Sequence, residues 1–326
     1  MPDLSVGGQA VIEGVMMRSK DRVATAVRTP GGEIMVKTEL YRALAHRYKL
    51  LNIPIIRGAV AFVEMLLLGM RTLNFSAEVA IEAAEKEEAT KNGEVYTPRR
   101  KKTNNVLLGL TAVAALAVGF GVFVFLPLAV AEGITNWFHA GKEAIGFNLI
   151  AGAVRLTLFL AYVWGISYYG DFRRVFEYHG AEHKSIYTYE MGQELTPESA
   201  ALFTRFHPRC GTSFILIVVL LAILVYSISD SIYASVMGYI PWWLERAVFH
   251  LTLLPIVAGT SYELLKLSGK TRDNIITRIL IQPGLWLQRI TTKEPTPDQL
   301  EVAIAALEAS LGLTESKLTS RRIPVS

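Results

Sequence analysis

The chain reads as a mainly α, polytopic helical membrane protein with about four transmembrane helices and a small α/β region at its N-terminus. Three observations predict this. Apolar residues make up 51% and charged residues 19% of 326, the mean hydropathy is +0.33, and the apolar residues fall in long blocks. A soluble domain carries about a quarter charged residues, and a helix needs about 20 consecutive apolar residues to cross a bilayer.

Residues 1–52 read as a small soluble α/β region. Within them RVATAVRTPGGEIMVKTEL gives two strands rich in β-branched residues, joined at Pro30-Gly31-Gly32. Residues 53–105 follow as a helix, a second charged helix and a linker. The first helix, over 53–72, has its apolar core cut short between Arg57 and Glu64, so it reads as interfacial or re-entrant rather than spanning. The charged helix covers 76–91, and the linker ends in Arg99-Arg100-Lys101-Lys102.

Residues 106–267 form the four-span domain, with spans at 106–131, 147–169, 213–229 and 247–267. Two charges within the spans stand out. Arg155 is expected near the outer end, snorkelling, and Glu263 near the inner end. Glu263 reads as a headgroup-level carboxylate, a further metal ligand, or a partner for Arg173, Arg174 or Lys184. Residues 268–326 hold two further helices. DNIITRILIQPGLWLQRI reads as an amphipathic segment on the membrane, broken at Pro283-Gly284. TPDQLEVAIAALEASL carries an apolar stripe (Leu300, Ile304, Leu307, Leu311), with Thr296 as N-cap and Pro297 in the first turn.

Lys and Arg are enriched in cytoplasmic loops. The basic run Arg99–Lys102 precedes the first span, and loop 170–212 holds Arg173, Arg174, Lys184, Arg205 and Arg209. Loops 132–146 and 230–246 hold only Lys142 and Arg246. Both termini and loop 170–212 are therefore expected in the cytoplasm. The first dozen residues lack a signal-peptide pattern, and one cysteine leaves no disulfide within the chain. The net charge of +4 is accounted for by topology. The expected partner is the lipid bilayer, with no nucleic acid; subunit number stays open, a homo-oligomer included.

Chemistry concentrates in YHGAEHK (178–184) and FHPRCGTSF (206–214). His179, Glu182 and His183 are spaced i, i+3, i+4, which puts them on one helix face. Two imidazoles one turn apart can share a metal ion, and the glutamate beside them can act as general base. His-x-x-Glu-His is also the inverzincin peptidase arrangement. Pro208 shapes the second motif, and Thr212 or Ser213 can cap the next span. Cys210 then sits at the positive end of that helix, which favours the thiolate. The candidate site is therefore zinc held by His179 and His183, with His207 or Cys210 as third ligand or both completing the set, and Glu182 as base. The plain alternative is a polar clasp between helices, with Cys210 a small buried hydrophobe. His46, His139 and His250 read as structural, and Gly7-Gly8-Gln9 is too short to mean anything. No P-loop, dinucleotide fingerprint, nucleophile elbow or paired-cysteine zinc motif is visible.

GGQAVIEGVMMR, YHGAEHK, FHPRCGTSF, GTSYELLK and QPGLWLQRITTKEPTPDQLEVAIAAL together resemble the YqhQ-like bacterial membrane proteins, a family of unknown function labelled as predicted metal-dependent enzymes. The resemblance spans nearly the whole chain. It implies a multi-pass protein of the bacterial inner membrane with the His/Glu/Cys cluster as its metal site. The leading expectation is a metal-dependent hydrolase at the cytoplasmic membrane boundary, substrate unknown. The alternative is a non-catalytic pore, transporter subunit or scaffold.

Overall fold

The computed structural model describes residues 6–92, 110, 114, 117–119, 121–138, 144–239, 241–270, 274–313 and 321–323. The N-terminal region is an antiparallel meander of β1 (Gly7–Val11), β2 (Gly14–Arg18), β3 (Arg22–Arg28) and β4 (Ile34–Leu40). A short β5 (Arg321–Ile323) pairs with β4 from the other end of the chain. The β3–β4 turn falls at Pro30-Gly31-Gly32 as expected, with Gly32 supplying φ of 87°. The β1–β2 hairpin was not anticipated. It turns over Ile12 and Glu13, and Gly14 follows because a Cβ there would lie 2.1 Å from the Ala26 carbonyl oxygen.

Side chains alternate across the sheet, and both faces are covered. On one face Val15, Met17, Ala24, Ala26, Ile34 and Val36 meet α5 (Gly170–Glu190), the short α6 (Pro197–Ala201) and α10 (Pro297–Leu311). Leu300 and Leu307 of α10 are buried there, each stabilising by about 1.5–3 kcal/mol. On the other face Val11, Met16, Val23 and Val27 meet Leu68 and Val79 of α2 (Ile56–Lys91). Residues 1–52 thus do not form a core by themselves: the head is built from three distant parts of the chain. The expected α10 cap is present, with Thr296 and Gln299 forming a capping box, Pro297 at the start and Gly312 in the left-handed conformation at the end.

Among the described residues, four helices are long and apolar enough to cross a membrane, over Ala117–Trp137, Gly146–Ile166, Phe214–Met237 and Leu244–Leu267. The first ends in α3 (Leu126–Trp137), entered through a π-helical turn at Gly121–Phe125. The others lie in α4 (Ala144–Ile166), α7 (Gly211–Met237) and α8 (Trp243–Lys270). Their outward surface is apolar: Leu149, Leu220, Leu224, Ile228, Leu251 and Ile256 are exposed. Exposed aromatic residues mark both ends, Trp137, Tyr239 and Trp242 away from the head and Tyr168, Tyr169 and Trp286 beside it, as at bilayer interfaces.

Four expectations need correction. The stretch 170–212 is half helix, because α5 buries its apolar residues against the sheet. The amphipathic segment is one helix, α9 (Ile275–Thr291), which runs through Pro283 without a break. Arg155 lies at the middle of its span, where Nε donates to the Phe123 carbonyl oxygen at 2.9 Å, inside the π-helical turn. Glu263 pairs with Arg57 of α2 through two bonds of 2.6 and 2.5 Å, and not with Arg173, Arg174 or Lys184. Gly58 and Gly259 let these two helices touch, since a Cβ on Gly259 would lie 2.2 Å from the Ile55 carbonyl oxygen.

The third span also runs further than expected, to Met237, which places Asp230 inside the bundle. Asp230 is fully buried and takes bonds from Asn148 Nδ2 (2.8 Å) and His250 Nε2 (2.9 Å), with Arg246 Nε at 3.4 Å. Three spans are tied together there, one end of the bundle away from the head. His250, stacked on Tyr226 at 4.0 Å, belongs to this network. His139 and the side chain of His46 lie outside the described residues.

Candidate metal centre

α5 carries His179, Glu182 and His183 toward the membrane end of the head. Gly180 allows the segment after α9 to cross it closely: a Cβ there would lie 2.1 Å from the Lys293 carbonyl oxygen, and the Lys293 amide donates to the Phe176 carbonyl at 2.8 Å. This crossing brings the Thr291 carbonyl oxygen to 2.7 Å from His179 Nδ1. The Arg205 carbonyl oxygen lies 2.5 Å from His183 Nδ1. A carbonyl can only accept, so both Nδ1 atoms carry protons, and in the neutral imidazoles each Nε2 presents its lone pair away from the backbone.

Those lone pairs converge on Cys210, the residue before α7. His179 Nε2 is 3.1 Å from Cys210 Sγ, and the donor atoms of His179, His183 and Cys210 all lie within 4.8 Å of one another. In tetrahedral zinc sites, bonds near 2.0 Å to nitrogen and 2.3 Å to sulfur separate neighbouring N and S atoms by about 3.5 Å. The spacing therefore suits one ion. Among the described residues His183 Nε2 is buried with no well-formed hydrogen bond and faces the Cys210 thiol, an arrangement that a bound cation would relieve. The thiol stands at a helix N-terminus as expected, while the side chains of Thr212 and Ser213 fall outside the described residues.

The electrostatics of the cluster favour a thiolate beside a protonated imidazole. Burial works against the Cys210 thiolate, but the charges of His179 and His183 outweigh it and hold the thiol well below its ordinary value. Burial likewise opposes the His179 imidazolium, yet the Cys210 charge and hydrogen bond raise it to about 9.

Glu182 stands beside this cluster, outside the three donors, and is buried. Burial raises its pKa, opposed by His179 and His183, and its carboxylate accepts the Gly8 amide proton. A Cβ at Gly8 would lie 2.9 Å from Glu182 Cγ and Cδ. The Gly7-Gly8-Gln9 strand is thus packing material: Gly8 seats Glu182, and Gln9 lies over Gly69 of α2.

His207 is turned elsewhere. Its Nδ1 accepts the Arg209 amide at 3.3 Å, and Nε2 is 3.5 Å from Glu190 Oε1, which also pairs with Arg209. The His207 ring backs the His183 ring at 5.6 Å, outside the group of three donors. Its main chain is clamped by the buried Gln288, which accepts the His207 amide at 2.7 Å and donates to its carbonyl at 2.8 Å. Sequence reasoning missed Gln288, Thr291, Arg205 and Glu190. Gln288, Thr291 and Thr292 share helical spacing on one face of α9, the only signal available.

The family model described as "Protein of unknown function (DUF1385)" matches residues 53–313. The chain is 35% identical over 316 residues to "Uncharacterized protein YqhQ" of Bacillus subtilis (strain 168), covering 94% of this chain and 92% of that protein. No solved structure matches.

Proposed function

The chain belongs to the DUF1385 family of unknown function, and from that premise we propose a zinc-dependent hydrolase of the bacterial inner membrane, with its head and both termini in the cytoplasm. The observation that carries the proposal is the donor set: two imidazoles with carbonyl-held Nδ1 atoms and one thiolate, within 4.8 Å. Two nitrogens and one sulfur suit zinc, and three protein ligands leave a fourth position for substrate or water, as in catalytic sites. A zinc ion held there would supply Lewis-acid polarisation. Within this reading Glu182 accepts the proton of an attacking water, and Gly8 holds its carboxylate in place. The basic run Arg99–Lys102 before the first span supports the cytoplasmic orientation.

Metal analysis of the purified protein tests this. About one zinc per chain is expected, lost in His183→Ala and retained in Glu182→Gln; a wild-type protein without metal overturns it. The enclosure of the donor groups favours a second reading, a non-catalytic scaffold in which the ion only joins helices. The cobalt-substituted protein separates the two. An added anion such as azide shifts the visible spectrum of an open site and leaves a closed one unchanged.

A further inference from the structure

Both halves of the site converge on the last turn of α9. Gln288, fully buried, grips the His207 main chain at its amide and its carbonyl, fixing the loop that delivers Cys210 three residues later. One turn on, the Thr291 carbonyl sets the His179 tautomer. The Thr292 carbonyl accepts from the Arg205 guanidinium, whose own carbonyl holds His183. Each of the three donors is thus referred to residues 288–292.

We infer that Gln288 is the positioning residue of the site, setting the distance between the Cys210 thiolate and the two imidazoles. The inference rests on the metal-site reading. A primary amide suits this pair, because its oxygen accepts from the backbone N–H while its NH2 donates to the C=O. Glutamate at this position keeps the acceptor and loses the donor. Alanine loses both and leaves two buried backbone groups unpaired.

The test uses the full-length protein in detergent, with Gln288→Ala, Gln288→Glu and Gln282→Ala, an exposed position on the same helix. Zinc affinity is read by competition with a chromophoric chelator. Independently, the rate of Cys210 alkylation by iodoacetamide is read in metal-stripped protein. Gln288→Ala should weaken zinc binding about 10- to 100-fold, the usual effect of removing a group that orients a ligand. It should also speed alkylation at least about tenfold, with Gln288→Glu intermediate, Gln282→Ala unchanged, and the far-ultraviolet spectrum of all four proteins the same. A Gln288→Ala protein with wild-type affinity and alkylation rate overturns the inference. If wild-type protein binds no zinc but Gln288→Ala still exposes the thiol, the metal reading falls while the positioning role stands. If Gln288→Ala loses its helical spectrum, the alkylation rate of Gln288→Glu decides, wild-type reactivity overturning the inference.

Discussion

Gly180→Ala puts one methyl group where helix α5 and the chain after α9 meet. Its Cβ would stand 2.1 Å from the Lys293 carbonyl oxygen, against the 3.4 Å at which ordinary contact begins, so the crossing must open by about 1.3 Å (3.4 − 2.1). Overpacking of this kind costs about 1–3 kcal/mol. The Thr291 carbonyl lies two residues away, 2.7 Å from His179 Nδ1; the same displacement takes it to about 4 Å, beyond bonding range. That adds about 0.5–1.5 kcal/mol, while the helix preference of alanine over glycine returns about 0.5–1 kcal/mol. The net is a loss near 2.5 kcal/mol, which for a large domain lowers the melting temperature by roughly 5–10 °C. Zinc affinity should fall about tenfold. Tryptophan fluorescence during heating in detergent, with chelator competition, measures both. Gly165→Ala is the control, since a Cβ there meets nothing within 4 Å, and it should be neutral or slightly stabilising. Should Gly180→Ala melt at or above Gly165→Ala with unchanged zinc affinity, the close crossing is not what seats His179.

Three more expectations follow from other regions. Asp230→Ala removes the buried carboxylate that bonds Asn148 and His250 and pairs with Arg246, a loss of about 3–5 kcal/mol if the pair is broken as in other buried ion pairs; a melting temperature within 2 °C of wild type would count against the network. In metal-stripped protein, His179, raised to about 9 from 6.5, adds stability that is full below pH 6.5 and gone above 9, while Cys210, depressed from 9.0, adds stability that is full above pH 9 and lost as pH falls toward its folded value. The two slopes have opposite signs as pH falls below 9, so denaturant midpoints should change little just below pH 9; a steep rise with pH there contradicts the pair. For orientation, in a Cys210→Ser background, Trp137→Cys should react with an impermeant maleimide on intact cells and Gln193→Cys only after permeabilisation, and the reverse pattern would invert the topology.

The spans, the β3–β4 hairpin and the cap of α10 were legible because each is a local pattern: a long apolar run, a Pro-Gly-Gly turn between β-branched stretches, a Thr-Pro-x-Gln start. The i, i+3, i+4 spacing of His179, Glu182 and His183 was equally local. What escaped detection depended on distance. The Arg57–Glu263 pair joins residues 206 apart and the Gln288 clamp joins residues 81 apart, and no periodicity announces either. Asp230 misled in another way: a carboxylate reads as the end of a span, whereas here two hydrogen bonds and an ion pair satisfy it inside one. Burial on both faces hid β1 and β2, since covered strands show no polar alternation. His207 lies in the right motif, but its ring direction is set by Glu190 and Arg209, which no spacing rule reveals.

The meander at the start of the chain borrows half its core from α10, which begins 257 residues after β4 ends (297 − 40). At about 5–20 residues per second of synthesis, the strands wait roughly 10–50 s, with part of one apolar face uncovered, until α10 has followed the membrane helices. Thr291 and Gln288 arrive in the same late interval. A chain that stopped before residue 288 would lack both α10 and the Gln288 clamp, leaving part of one sheet face uncovered and the Cys210 loop without its hold.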